Sequence, residues 1–328
     1  MPRQEKMRAV LRRLSLLGFV LACFLAPSAA AGTVAIFYYP WYGTPSVNGA
    51  WLHWNQNGHS PPVDLYSRYY PANGPYSTAD PIIVDQQMAE IAAAGIDEVV
   101  ISWWGRGSQQ DTELPMLLAA ARSHHLQPAI HLEPYPGRSP ASVAQDLPYL
   151  ASLGIHDVFV YHPADIAASD WAALHPQLPA SVRLFAGTQL VGFAAAGHFA
   201  GIYTYDFIDY GASKFARLCA EAHAHGLLCG PSVGPGYDGS RAGESSIVVP
   251  RRNGATYDHL WRAALAAHPD MVTITSFNEW GEGTQIEPAA PRTGYSSYDG
   301  AWGLLGLPAE TAYLTRTAYW AGLFHSPG

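Results

Sequence analysis

Eight short apolar runs, each followed by a stretch of helical periodicity, recur from residue 33 to the C-terminus, and few folds accommodate that alternation. The candidate strands are TVAIFYY (33–39), DEVVISW (97–103), QPAIHLE (127–133) and HDVFVYH (156–162). They continue with SVRLFAG (181–187), GIYTYDF (201–207), GLLCGPS (226–232) and MVTITSF (271–277). Helical patterns fill 82–95, 113–125, 142–154, 214–226, 256–268 and 309–324, and are weakest before the fifth and sixth strands. Gly95, Gly154 and Gly226 each close a helix just before a strand, where C-capping glycines belong. The strands are near-continuous apolar runs, as parallel strands covered on both faces should be. The pattern predicts one α/β domain, a single (β/α)8 TIM barrel with a long loop (40–80) after strand 1. A doubly wound open sheet is the weaker alternative, because no glycine-rich phosphate loop follows the first strand.

The N-terminus has another character. MPRQEKMRAVLRR is basic, LSLLGFVLACFLA is apolar, and PSAAAG offers small-residue cleavage sites near Ala30 or Ala31. This predicts a secretory signal peptide over 1–31 and a secreted (extracellular or periplasmic) domain over 32–328. The apolar run is too short to span a bilayer, so no membrane insertion is expected after cleavage. Cys23, after Leu21 and Ala22, leaves a lipid-anchored form open.

Residues 1–31 hold five Lys/Arg and one Glu, so the remaining 13 basic and 25 acidic residues give a formal charge of −12. Lys214 is the one lysine beyond residue 31. Such a surface repels nucleic acid and anionic lipid, which excludes both as partners. Cys219 and Cys229 are left either as a disulfide or as two buried thiols. The 14 histidines include no HxxxH or HExxH pattern, so neither metal nor cofactor is expected. A monomer is the default for a secreted single domain.

In a (β/α)8 barrel the active site forms at the C-terminal strand ends. Here those ends gather aromatic and polar residues on one rim. The first contributes Tyr39, Trp41 and Tyr42, with His53 and Trp54 in the loop beyond; the second, Trp103 and Trp104; the third, Glu133 and Tyr135; the seventh, Tyr237. The eighth runs into SFNEWGEGTQIEPA (276–289), with Asn278, Glu279, Trp280, Glu282, Gln285 and Glu287. Rings of this kind stack on sugars, and amides and carboxylates bind hydroxyls. Glycosidic hydrolysis needs one carboxylic acid to protonate the leaving oxygen and a second carboxylate as base or nucleophile. Glu279 and Glu282 are the candidate pair, although carboxylates three residues apart on one loop are unusual for direct displacement. Successive strand residues face opposite ways, so one of Trp103 and Trp104 packs against helices while the other reaches the cleft. Glu133 either contacts substrate or pairs with Arg138 or His131, and Glu287 reads as structural or as a helix-start carboxylate.

NEWGEGTQIEP resembles the signature of glycoside hydrolase family 99, the endo-α-1,2-mannosidases and mannanases. FYYPWYG with WLHWN, YYPANGPYSTADP, SWWG, IHLEPYPGR and GPGYDGSR match in the same order, over nearly the whole chain after residue 31. The resemblance implies a metal-free (β/α)8 barrel that acts on α-mannan or N-glycan-type mannosides with retention. It implies Glu279 as the base on the sugar's own 2-hydroxyl, a 1,2-anhydro intermediate, and Glu282 as general acid/base. It also implies that Tyr39, Trp103 or Trp104, Glu133 and Tyr237 line sugar subsites. One departure is Gly281, where the family commonly has histidine. A non-catalytic carbohydrate-binding barrel and a glycosidase for another polysaccharide are the alternatives.

Overall fold

A computed structural model describes residues 32–326; the signal-peptide expectation for 1–31, Cys23 included, lies outside them. Nine parallel strands follow one another around the sheet in the order β7-β6-β5-β4-β3-β2-β1-β11-β8. They are β1 (Thr33–Tyr38), β2 (Glu98–Trp103), β3 (Gln127–Leu132), β4 (Asp157–Val160), β5 (Arg183–Gly187), β6 (Gly201–Tyr203), β7 (Leu228–Gly230), β8 (Ser232–Val233) and β11 (Met271–Ile274). The expected seventh strand is thus two pieces. Pro231 separates them because it has no N–H to give the ladder. β7 pairs with β6 and β8 with β11, so the halves join the two ends of the sheet and the ring closes as an eight-unit barrel. A two-stranded antiparallel hairpin, β9 (Tyr237–Asp238) with β10 (Val248–Val249), stands outside this ring.

The helices are α1 (Pro45–Asn48), α2 (Pro81–Ala93), α3 (Gln109–Ser123), α4 (Pro140–Ser152), α5 (Ala168–Leu174), α6 (Val191–Ala196), α7 (Ala212–Ala224), α8 (Ala255–Ala266), α9 (Leu307–Glu310) and α10 (Ala312–His325). The short α5 and α6 occupy the segments with the weakest helical pattern. Gly95, Gly154 and Gly226 follow α2, α4 and α7 with φ of +71°, +78° and +71°, the left-handed geometry expected of them.

The period-2 alternation divides each strand between two cores. On β1, Val34, Ile36 and Tyr38 face the helices, while Ala35 and Phe37, with Tyr39 beyond, face the barrel interior. Val100, Ala129, Phe159, Phe185, Tyr203 and Met271 complete that interior. Phe159 stacks on Phe185 at 4.9 Å, and Phe37 meets His131 at 4.7 Å and Tyr205 at 5.0 Å between ring centroids. Phe37 therefore lies directly beneath the rim where the polar residues collect.

Cys219 on α7 and Cys229 on β7 form a buried disulfide across ten residues, with Cα atoms 5.2 Å apart. Closing a loop of that length removes unfolded-state entropy worth about 3 kcal/mol. The double variant C219A/C229A is expected to lose about that much in urea unfolding while keeping the barrel's circular-dichroism spectrum.

Candidate active site

The loop after β11 is fixed at each step of its course. At its start, Asn278 pairs with the backbone of Tyr39, accepting its N–H at 2.7 Å and donating to its carbonyl at 3.1 Å. Tyr42 donates to the Asn278 carbonyl at 2.9 Å and accepts the Trp280 N–H at 3.1 Å. In the middle, the Arg251 guanidinium donates to the carbonyls of Gly283 (2.9 Å) and Gln285 (2.7 Å). Among the described residues its charge meets no carboxylate; it lies among the rings of Tyr69, Tyr298 and Tyr313 at 4.6–4.8 Å. At the end, buried Glu287 accepts from Tyr76 (2.6 Å), Gln87 (2.7 Å) and Trp280 (2.8 Å).

This anchoring delivers Glu279 and Glu282 to one cavity of about 210 Å³ above Phe37. Tyr39, Trp41, His53, Gln56, Tyr66 and Trp104 form its aromatic and loop-borne side. His131, Glu133, Pro134, Tyr161, Tyr205 and Glu244 form the rest. A second cavity of about 180 Å³ shares Tyr161, Tyr205 and Glu282 with it, and adds Asp206, Phe207, Ile208, Asp209, Tyr237 and Ile247. Glu282 therefore stands between two adjoining spaces, while Glu279 lines only the first.

Both carboxyls are raised above the usual carboxylate range. Burial is the main cause for Glu279, followed by the charges of Glu282 and Glu244; the Gly281 N–H, donating at 3.0 Å, works against it. Burial, then Glu244, Asp206 and Glu133, push Glu282 up to about 8, with the Tyr205 hydroxyl partly offsetting them. Burial holds His53 near 4, so it is neutral at pH 7, and its ring stacks on Trp41 at 4.7 Å. Glu133 accepts from Ser102 at 2.8 Å and lies 3.0 Å from His131 Nδ1, without the alignment of a hydrogen bond. An acid near 8 beside a second carboxyl, in an aromatic cleft at the strand ends, is equipment for acid–base cleavage.

The model of Glycosyl hydrolase family 99 matches residues 30–167 and 185–326. The chain belongs to this family. Its relatives include a zebrafish (Danio rerio) glycoprotein endo-alpha-1,2-mannosidase-like protein, 32% identical over 79% of this chain and 71% of the relative. The mouse (Mus musculus) glycoprotein endo-alpha-1,2-mannosidase is 33% identical over 78% and 68%. Among solved structures, the GH99 endo-alpha-mannosidase from Bacteroides thetaiotaomicron superposes with a TM-score of 0.78 at 29% identity, covering 89% of this chain and 97% of that one. A cyclic alpha-maltosyl-(1→6)-maltose hydrolase from Arthrobacter globiformis shares the fold alone, at 12% identity and a TM-score of 0.52. As a member of family 99 the chain is a glycosidase.

Of the residues expected in the site of this family 99 chain, Tyr39, Trp41, His53, Trp104, Glu133, Tyr237, Glu279 and Glu282 line the two cavities. Seven expected sugar contacts do not. Trp103 is the tryptophan that packs outward, fully buried, donating to Asp111 at 2.9 Å. Tyr135 turns towards α4 and bonds Ser142 and Asp146. Trp54 is buried in the long loop and donates to the Tyr76 carbonyl at 2.7 Å. Tyr42, Asn278 and Trp280 are fully buried and spend their polar atoms holding the loop itself. Gln285 is buried too and donates to Tyr298 at 3.1 Å. These residues bond to neighbouring protein groups and line neither cavity. Arg138 is no partner of Glu133 either; it binds the carbonyls of Leu132, Tyr161 and His162, and Asp165.

Residues that sequence reading did not assign are His131, Tyr161, Tyr205, Asp206, Tyr66, Gln56 and Glu244. The first four stand at the strand ends HLE, YHP and YTYD, a usable signal. Tyr66, Gln56 and Glu244 come from loops with no such marker. Gly281 has a local reason: a Cβ there would fall 2.6 Å from the Tyr66 ring, which fills the space a side chain would need.

Glu287 tests the anchoring. Glu287→Ala strands three buried donors and is expected to cost about 3 kcal/mol in urea unfolding. Burial pushes Glu287 up to about 8 from an ordinary 4.5, so its share of stability is complete below the unfolded value and lost as pH rises through 8. Glu287→Gln, which cannot ionise, is expected to flatten that decline in melts taken from about pH 5 to pH 8.

Proposed function

We propose that this chain is an endo-acting glycosidase that cleaves α-mannosidic bonds with retention, using the substrate's own 2-hydroxyl as nucleophile. The observation that carries the reading is the pairing of Glu279, which accepts a backbone N–H, with Glu282, an acid near 8, in one cleft. The Gly281 N–H favours the charged form of Glu279, which acts in the sense of a base at Glu279 and an acid at Glu282. The names of the similar proteins, endo-alpha-mannosidases among them, support mannosides as the substrate class. The two cavities meeting at Glu282 support internal cleavage, which needs room for sugar on both sides of the bond.

The sugar whose anomeric carbon reacts sits in the first cavity, beside Glu279, and the leaving chain occupies the second. Glu279 removes the proton of the 2-hydroxyl as O2 attacks C1, and Glu282 gives its proton to the departing glycosidic oxygen. The product is a 1,2-anhydro sugar. Glu282, now a carboxylate, takes a proton from a water that opens the ring at C1, and Glu279 returns its proton to O2. Two inversions leave the configuration retained. Because the nucleophile belongs to the substrate, the carboxylates need not straddle the ring, and their three-residue spacing ceases to be an objection. The Cys219–Cys229 bridge supports the accompanying proposal of a secreted enzyme, since disulfides persist in oxidising compartments.

Digestion of α-mannan and α-1,2-linked manno-oligosaccharides, with products resolved by mass and anomeric form, tests the reading. Retained α-oligosaccharides are expected from the wild type, with rates lower by about 10²–10⁴-fold in Glu282→Gln and Glu279→Gln. A substrate lacking the 2-hydroxyl on the reacting residue should resist cleavage, and its turnover would overturn the mechanism. The kcat/KM profile is expected to fall above an apparent pKa near 8, as Glu282 loses the proton it must donate.

A further inference from the structure

The hairpin of β9 and β10 brings a third carboxylate to the cleft. Glu244, in the turn between those strands, joins Glu279 and Glu282 in the wall of the first cavity. The turn is pinned to the long loop: Arg68 pairs with Asp238 at 2.9 Å, and Arg241 pairs with Asp64 at 2.5 Å and donates to the Leu65 carbonyl at 2.7 Å. The Glu244 N–H donates to the Gly239 carbonyl at 3.1 Å. Its side chain, by contrast, is exposed at the cavity wall and has no hydrogen-bond or ion-pair partner among the described residues. A carboxylate so placed, on a fixed turn with its oxygens free, is available to a ligand.

The surrounding charge is one-sided. Glu133, Glu244, Glu279 and Glu282 line the first cavity and Asp206 and Asp209 the second, and neither is lined by lysine or arginine. The guanidiniums nearby are already committed: Arg68 to Asp238, Arg241 to Asp64, Arg138 to Asp165. Low-dielectric walls focus such a field, and like charges repel there several-fold more strongly than in open water. A sugar hydroxyl donates to these oxygens, whereas a phosphate, sulfate or uronate group brings a further negative charge and no compensating cation.

Building on the glycosidase reading of this cleft, we infer that it selects neutral glycans and rejects those bearing phosphate, sulfate or carboxylate groups. Glu244 is the specificity-determining residue at its mouth, and it accepts a hydroxyl of the bound sugar. The selection is electrostatic, so it weakens as salt screens the field.

A neutral α-1,2-linked mannotetraose and the same tetraose carrying one 6-phosphate test this on the wild type, Glu244→Gln and Glu244→Ala. Hydrolysis is measured at about 20 mM and about 500 mM salt. Binding is measured by calorimetry in the Glu282→Gln protein, with and without Glu244→Gln. The phosphorylated sugar is expected to bind and react at least about ten-fold less well at low salt. That gap should narrow at high salt and in Glu244→Gln, while KM for the neutral sugar rises. Equal handling of both sugars, a gap indifferent to salt, or a gap unchanged in Glu244→Gln would each overturn the inference. A neutral sugar bound but never cut would sink the mannosidase proposal, yet the ratio of binding constants would still decide the selection. Binding of neither sugar overturns both.

Discussion

Three hydrogen bonds converge on a carboxyl that never meets the cleft, and the geometry of the active site depends on them. Glu287 takes donors from the long loop (Tyr76), from α2 (Gln87) and from its own loop (Trp280). Gln87 in turn accepts from Tyr38 on β1 at 2.6 Å. One buried acid therefore ties the first strand, the first long helix, the insertion and the catalytic loop into a single unit. A buried polar hub is costly when any member is missing, which is why it specifies one arrangement of the chain around it.

On that support the loop can hold two carboxyls in one confined space. Burial raises both; Glu282 and Glu244 raise Glu279 further, and Glu244, Asp206 and Glu133 raise Glu282. The protein meets this with fixed dipoles rather than cations: the Gly281 N–H on Glu279 and the Tyr205 hydroxyl beside Glu282. Arg251, a full positive charge, is kept one layer away among tyrosine rings, where it steadies the Gly283 and Gln285 carbonyls instead of neutralising the acids. Raised pKa values and a cleft lined by carboxyls without lysine or arginine go together in this arrangement.

Sequence periodicity was enough to identify the barrel because each strand buries both faces and each helix one, so hydrophobic spacing records the architecture directly. All eight expected strands are present; the break at Pro231 and the β9–β10 hairpin were not expected. The site was legible to the level of strand ends. Alternation correctly divided Trp103 from Trp104, but composition could not separate rings that line the cavities from rings that hold the loop. Trp54, Trp280 and Tyr42 have the same chemistry as Trp41 and Tyr39, and only the three-dimensional arrangement shows that Trp41 and Tyr39 line the cavity while the other three do not. Gln56, Tyr66 and Glu244 were invisible for another reason: their approach to the cleft depends on how two distant loops clasp each other, which no local spacing encodes.

The break at Pro231 works as a buckle in a hoop. A continuous seventh strand would leave the barrel along the line set by β6, but the interrupted one hands its hydrogen bonds from β6 to β11 within a single residue and departs on a new bearing. Three residues later Gly234 passes so close to Phe207 that a Cβ would lie 2.1 Å from the ring, and the chain then enters the hairpin bearing Tyr237 and Glu244. The seam that closes the barrel is thus also the aiming device for one wall of its mouth: the residue that completes the scaffold leads the chain into the hairpin that lines both cavities.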